Sequence, residues 1–269
     1  MAIVINGSGT VTGLAVGGLP DGTVDAGTVA ADVATQAELD AKTDATKVPL
    51  AGGTMTGNLI VGSVTDPTIS LLSNANDNAT SGRLKFREGD GVNGFDLRYN
   101  GSANQAVIDT TDVSNAIVIN RTDGAVTMPN QPAFLVNARH SAPTIAPNTN
   151  TTAEFTLEVY DVNADYNTST YTFTAPVTGK YQLNCSLLWI NWDSSASYYY
   201  LQIVTSNRTY YQLFSGGASS SDITYFNGNI HVLADMDAND TAYVRFYQAS
   251  GAQQTYYENQ SIFGGFLAC

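Results

Sequence analysis

Apolar and polar positions alternate with a period of two along much of the second half of the chain. Tyr181, Leu183, Cys185 and Leu187 are separated by Gln182, Asn184 and Ser186, and Ala242, Val244 and Phe246 by Tyr243, Arg245 and Tyr247. Successive side chains of a strand point to opposite faces, so each run predicts a strand with one buried face. Tyr199, Leu201 and Ile203 share one face in the same way. Such strands recur with Gly, Asn and Asp turns between them, which predicts a β-sandwich. The first half shows shorter runs: Ile60-Val61, Ile69–Leu72, Arg83–Phe86, Phe95–Tyr99, Ala106–Ile108 and Ala116–Ile119. Asp90-Gly91, Asn100-Gly101 and Asp123-Gly124 fall between them, dipeptides suited to hairpin turns at positive φ. Five or six such strands make a thin sheet, which needs neighbours to cover it.

One stretch has helical spacing. Over 28–47, Val29 and Val33 lie four apart, Thr35-Gln36-Ala37-Glu38 has the form of a capping box, and Leu39 continues the stripe. The stripe is narrow, and an isolated helix of this length is marginal in water. A short trimeric coiled coil would bury it; a frayed surface helix is the alternative. Before it, residues 1–27 are short extended pieces punctuated by glycine. Gly7-Ser8-Gly9 lacks the third glycine and the strand–helix context of a dinucleotide loop, so this segment reads as a flexible or partner-docked arm.

Composition sharpens the division. Of the 15 tyrosines, 14 lie beyond residue 131, with both tryptophans and eight of the ten phenylalanines. Residues 1–131 hold Phe86, Phe95 and Tyr99 alone, too few rings for a core of ordinary size. Met128–Pro132 is the natural hinge, and the expected segments are 1–27 (arm), 28–47 (helix), 48–131 (β-rich shaft) and 132–269 (head). A first half without its own core points to association of chains.

Charge excludes more than it suggests. Eleven Lys and Arg against 24 Asp and Glu leave a net charge of −13, without the clustered cations that bind nucleic acid. No apolar run is long enough to span a bilayer, and the start lacks the features of a secretory signal. Neither nucleic-acid binding nor membrane insertion is expected. Cys185 and Cys269 are too few for a disulfide framework.

Leu50-Ala51-Gly52-Gly53-Thr54-Met55-Thr56-Gly57-Asn58-Leu59 resembles the LxGGTMTGxL element of bacteriophage tail-fibre proteins. Ile5–Thr10, Leu19–Val24 and Ile119–Met128 are similar to other pieces of that group. In the second half, Phe155, Asp161, Tyr166, Phe173, Gly179 and Tyr181 follow a spacing that resembles the signature of the globular head of complement component 1q, a trimeric jelly roll related to tumour necrosis factor. The ending Ser261–Leu267 looks like that family's last strand, and the resemblance implies that Phe263 and Phe266 join the signature residues in the core of the head. Leu183 and Cys185 stand where aromatics are usual, yet both are apolar.

Together these resemblances imply a mainly β homotrimeric fibre: a short N-terminal helical coiled segment, a β-rich shaft and a C-terminal jelly-roll head. They imply location on a virion, as a tail fibre or a head fibre. Residues 1–27 would attach to a tail or baseplate protein, and the head would bind a host-surface glycan or protein; the alternative is a purely structural virion component, a capsid-decorating fibre or tail connector, without a receptor of its own.

Catalytic chemistry is thin. His140 and His231 have no carboxylate at metal-ligand spacing, and no cofactor is implied. Asp235–Asp240 begins like a calcium loop but has Phe246 at the twelfth position; a turn is expected, with a weak cation site as the alternative. Glu154, Glu158, Asp161, Asp165, Asp193 and Asp222 supply carboxylates for glycoside cleavage, but the sequence pairs none of them. No catalytic residue and no metal ligand is therefore assigned. The binding candidates lie in the aromatic stretches 189–200 and 208–211: Trp192, Tyr198, Arg208 and Tyr210. Rings stack on sugar faces while neighbouring polar groups hydrogen-bond. Trp192 and Tyr210 are expected to be exposed, whereas Tyr198 and Tyr200 fit a subunit interface equally well.

Overall fold

A computed structural model describes residues 4–5, 11–12, 58–59, 65, 68–72, 79, 81–138, 145–252, 256–257 and 260–269. The expected helix over 28–47 lies outside these residues, as do the Gly-Gly-Thr-Met-Thr-Gly core of the fibre-like element and His140. The chain divides into two compact units, Met1–Ser70 and Leu71–Cys269. In the first, β1 (Val4–Ile5) pairs antiparallel with β2 (Val11–Thr12). Among the described residues, regular structure is strand apart from single 3-10 turns at Val162–Ala164 and Gly216–Ala218.

The second unit opens with an antiparallel meander: β3 (Arg83–Arg87), β4 (Gly94–Asn100), β5 (Gln105–Thr110), β6 (Ile117–Asn120) and β7 (Val126–Thr127), paired in chain order. Turn chemistry sets its first hairpin: the Asp90 carboxylate accepts the backbone N–H groups of Val92 and Asn93 at 2.8 and 3.1 Å. Ile69–Leu72, expected as a strand, carries no ladder. Its apolar side chains do not alternate between a buried and an exposed side; Ile69, Leu71 and Leu72 all face solvent.

The sandwich follows, in strands β8 (Ala133–Ala138), β9 (Thr151–Thr152), β10 (Phe155–Asp161), β11 (Tyr166–Asn167), β12 (Thr172–Thr174), β13 (Gly179–Trp192), β14 (Tyr198–Thr205), β15 (Thr209–Ser215), β16 (Ile223–Met236), β17 (Thr241–Ala249), β18 (Tyr256–Tyr257) and β19 (Ile262–Leu267). One sheet has the order β10-β8-β19-β13-β16, with β18 also on β13; the other is β11-β12-β17-β14-β15, with β9 also on β17. Every ladder is antiparallel, and β19 returns from the end of the chain to sit between β8 and β13. This is a jelly-roll sandwich.

Two aromatic clusters fill the space between the sheets. Phe134 stacks on Phe173 (centroids 4.6 Å) and Tyr166 (5.3 Å) and meets Phe263 edge-on. Tyr166 Oη donates to the carbonyl of Phe155 at 3.2 Å, which satisfies the phenol inside the core. Trp189, Trp192, Tyr199, Phe214 and Phe226 form the second cluster. Tyr181, Leu183, Cys185 and Leu187 line the gap as their alternation predicts, and burial pushes the Cys185 thiol well above its ordinary pKa. Asp161 closes a turn by accepting the N–H groups of Asp165 (3.1 Å) and Tyr166 (2.8 Å). At Gly179 the chain end comes close: a β-carbon there would meet Leu267 Cδ1 at 2.6 Å and the Cys269 carbonyl at 2.7 Å.

One signature residue does not belong to the core. Phe266 is 47% exposed. Phe263 points inward, so the strand period places Phe266 outward, opposite Gln182 on β13.

Candidate functional site

The outer face of the β11-β12-β17-β14-β15 sheet is rich in tyrosine because three neighbouring strands put rings on it together. On β14 the inward set is Tyr199, Leu201 and Ile203, which leaves Tyr198, Tyr200 and Gln202 outward. Register places Tyr200 opposite Tyr247 of β17 and Leu213 of β15, and Gln202 opposite Arg245 and Tyr211. Ring centroids are 5.0 Å apart for Tyr198–Tyr200, 5.4 Å for the edge-on Tyr200–Tyr211 pair and 6.1 Å for Tyr198–Tyr247. Arg245 Nε donates to Gln202 Oε1 at 2.7 Å, which fixes the guanidinium among the phenols. The result is an aromatic platform with hydroxyl donors and one cation. It can stack on the apolar face of a sugar ring or on a protein epitope, with hydrogen bonds at its edges.

Tyr211 also borders a cleft of about 580 Å³ where the two sheets meet at β15 and β16, lined by Thr209–Gln212 and Asn229–Val232. His231 sits there, its Nδ1 3.0 Å from Asn184 Oδ1. Tyr210 lies on the inward side of β15, half-buried against the core.

The four expected binding residues do not converge. Trp192 is 1% exposed and stacks on Tyr199 with centroids 3.6 Å apart, so it is a core residue and not a ligand contact. Strict alternation from inward Trp189 would have put Trp192 outside. Asn191, at φ 54°, breaks the alternation and turns the indole in; asparagine is among the few non-glycine residues that tolerate this conformation. Arg208 lies in the β14–β15 turn, where its carbonyl accepts the N–H and hydroxyl of Thr205 at 2.9 and 3.0 Å. It is about 20 Å from Tyr198 at the usual strand rise. Tyr198 is thus the one of the four that stands on the platform. Sequence reasoning missed Tyr247, Arg245 and Gln202 as its companions; alternation marked them as outward, but nothing local gives the pairing of β14 with β17.

Of the carboxylates considered for catalysis, Asp161, Asp193 and Asp222 hold turns. Asp193 is buried and accepts the N–H and hydroxyl of Ser195 at 2.8 and 2.6 Å. Asp222 accepts the corresponding groups of Ser194 at 3.0 and 2.8 Å. In the calcium-like loop, Asp240 Oδ2 accepts the Asp237 N–H at 2.8 Å and Asn207 Nδ2 at 2.7 Å. Asp235 pairs with Lys180, whose ammonium holds that carboxyl below its usual range. Among the described residues no group of three or more His, Cys, Asp and Glu side chains could hold a metal ion. Asp165 is the outlier: burial and the nearby Asp161 carboxylate push its pKa up.

Two antiparallel sheets of this order define a jelly-roll sandwich domain. The C1q domain family matches residues 133–268, half of the chain, and the chain belongs to that family. No curated protein sequence matches it. Similar solved structures include the globular domain of zebrafish complement 1qA (18% identity, TM-score 0.38, 52% of this chain and 98% of that one). Murine APRIL (11%, 0.39, 51% and 98%) and the PRD1 vertex protein (16%, 0.38, 51% and 96%) are others.

Proposed function

We propose that this chain is the fibre protein of a bacteriophage virion, a homotrimer whose C1q-like head binds a glycan or protein on the host surface during adsorption. Residues 1–27 serve as the arm docked on a tail or baseplate protein, 28–47 as a short helical bundle and 48–131 as the shaft. Binding, and no catalytic step, is the role assigned to the head.

The observation that supports this reading is the contrast between the two outer faces of one sandwich. The β10-β8-β19-β13-β16 sheet turns Leu157, Tyr160, Ile262, Phe266 and Leu233 to solvent in the single chain. Packing of three heads would cover them, and that accounts for an exposed phenylalanine in the family's last strand. The opposite sheet presents the tyrosine platform, whose phenols and guanidinium suit a polar ligand better than permanent burial. Three platforms on one trimer convert weak single contacts into avidity where receptor spacing matches.

The test is binding of the fluorescently labelled full chain to a panel of bacterial strains and their purified surface polysaccharides. Saturable binding to at least one is expected. Tyr200→Ala should weaken it at least tenfold, the scale of an aromatic anchor, with the unfolding midpoint unchanged. No binding by the wild type across the panel would favour a purely structural fibre or connector. Binding undiminished by Tyr200→Ala would move the receptor site off the platform.

A further inference from the structure

The five-stranded sheet β3–β7 separates its chemistry by face. Arg83 and Arg87 pair with Asp96 at 3.2 and 2.5 Å, and Arg98 pairs with Asp109, all on one side. Cross-strand register places Leu84 opposite Leu97, Phe86 opposite Phe95 and Ile119 opposite Val126 on the other. Phe86 and Phe95 stack with centroids 4.5 Å apart. These six side chains are 39–62% exposed, and Leu71 and Leu72 beside them are 49% and 91% exposed. The same face holds an open hollow of about 1030 Å³, bordered by Leu71, Leu72, Leu84, Leu97, Ile108 and Ile119. At ordinary side-chain areas the eight leave roughly 650 Å² of contiguous apolar surface, above the ~300–600 Å² of a monomer's largest patch and close to the ~800 Å² that each partner gives a stable interface.

We propose that this face is a self-interface: in the fibre, the apolar side of each sheet packs against another copy of the same chain. The inference rests on the homotrimer reading above and extends it to a second contact, outside the head. Charge favours a like partner here. Residues 83–127 carry five basic and six acidic side chains, so the sheet is almost neutral within a chain of −13. Copies can meet at this point without the repulsion they would feel elsewhere. Tethering favours it too. Five residues, 128–132, join the sheet to the head, and they are tied down on it. Gln131 Nε2 donates to the Leu267 carbonyl at 3.1 Å, Leu267 N–H donates to the Pro132 carbonyl at 3.0 Å, and Asn163 Nδ2 to the Asn130 carbonyl at 3.2 Å. A trimeric head therefore holds three sheets at high effective concentration for one another, an advantage no foreign protein has.

The experiment places the photoreactive residue p-benzoylphenylalanine at position 95 of the full chain, and at position 123, in an exposed turn, as the control. Each sample is irradiated and run on a denaturing gel, and its native mass is measured by light scattering beforehand. The proposal expects a native mass of three chains and covalent two-chain products from position 95 at least fivefold above those from position 123. Position 86 serves as a second site on the same face. A three-chain mass with one-chain products alone, from both 95 and 86, overturns the self-interface and leaves the trimeric head standing. Such products with an internal cross-link would show that another segment of the same chain covers the face. A one-chain native mass overturns the homotrimer reading and the self-interface with it.

Discussion

Replacing Trp192 with alanine separates a core indole from a receptor contact. The side chain is buried between Tyr199 and Phe226, with centroids 3.6 and 4.1 Å away, and it touches Trp189 edge-on at 5.3 Å. A tryptophan of this kind removes about 200 Å² from water, worth about 5 kcal/mol at ~25 cal/mol per Å². Partial collapse of the site returns some of that, so the expected loss is about 3–5 kcal/mol. The damage should extend to the neighbouring turn, because Tyr199 Oη donates to the Asp193 carbonyl and accepts the Asp193 N–H, both at 3.0 Å. Urea unfolding of the full chain, followed by the emission of the remaining Trp189, reads the effect. At a slope of about 2 kcal/mol per molar, the midpoint of the head transition should fall by about 2 M. An unchanged midpoint together with lost cell binding would refute the placement of Trp192 in the core.

Three further outcomes follow from local geometry. Gly265→Ala puts a β-carbon 2.6 Å from Leu183 Cδ2 and 2.8 Å from the Gln182 carbonyl, and it should cost about 1–3 kcal/mol in the same assay. Asp165 has a folded pKa above the ordinary value of 3.8, so the folded head favours its protonated form. Asp165→Asn should therefore raise the melting temperature at neutral pH, and the gain should shrink to nothing as pH falls through that window to the ordinary carboxylate range; a gain that persisted at pH 3 would contradict the burial argument. Asp109 behaves oppositely. The hydrogen bond from Arg98 holds its pKa low, so its contribution is present above the unfolded value and lost as pH falls through the lower folded one. Asp109→Asn should destabilise the β3–β7 sheet at pH 7, seen as faster amide exchange in Gln105–Thr110, and the difference from wild type should narrow as pH falls below the ordinary carboxylate range.

What could be read from the sequence was what depends on period and local turn chemistry. Alternation along 181–187 and 242–246 identified inward side chains residue by residue, because a strand with one buried face leaves no other choice. Phe266 and Trp192 show where that reading stops. Family spacing groups Phe266 with the core, although its own strand period, counted from Phe263, points it outward. Trp192 needed knowledge of a single left-handed residue, Asn191, which no pattern of apolarity contains. The platform was hidden for a different reason. Tyr198, Tyr200, Tyr211 and Tyr247 become neighbours through β14 pairing with β15 on one side and β17 on the other. Such long-range register is set by the whole sandwich, and no local stretch encodes it.

In the proposed fibre, assembly would cover the apolar face of the head, give three platforms their avidity and pack the shaft. The most direct measurement is the mass of the purified full-length protein in solution by light scattering at neutral pH. A homotrimeric fibre gives three times the 28.5 kDa of one chain, unchanged on dilution through the micromolar range. A single-chain mass at those concentrations would contradict it.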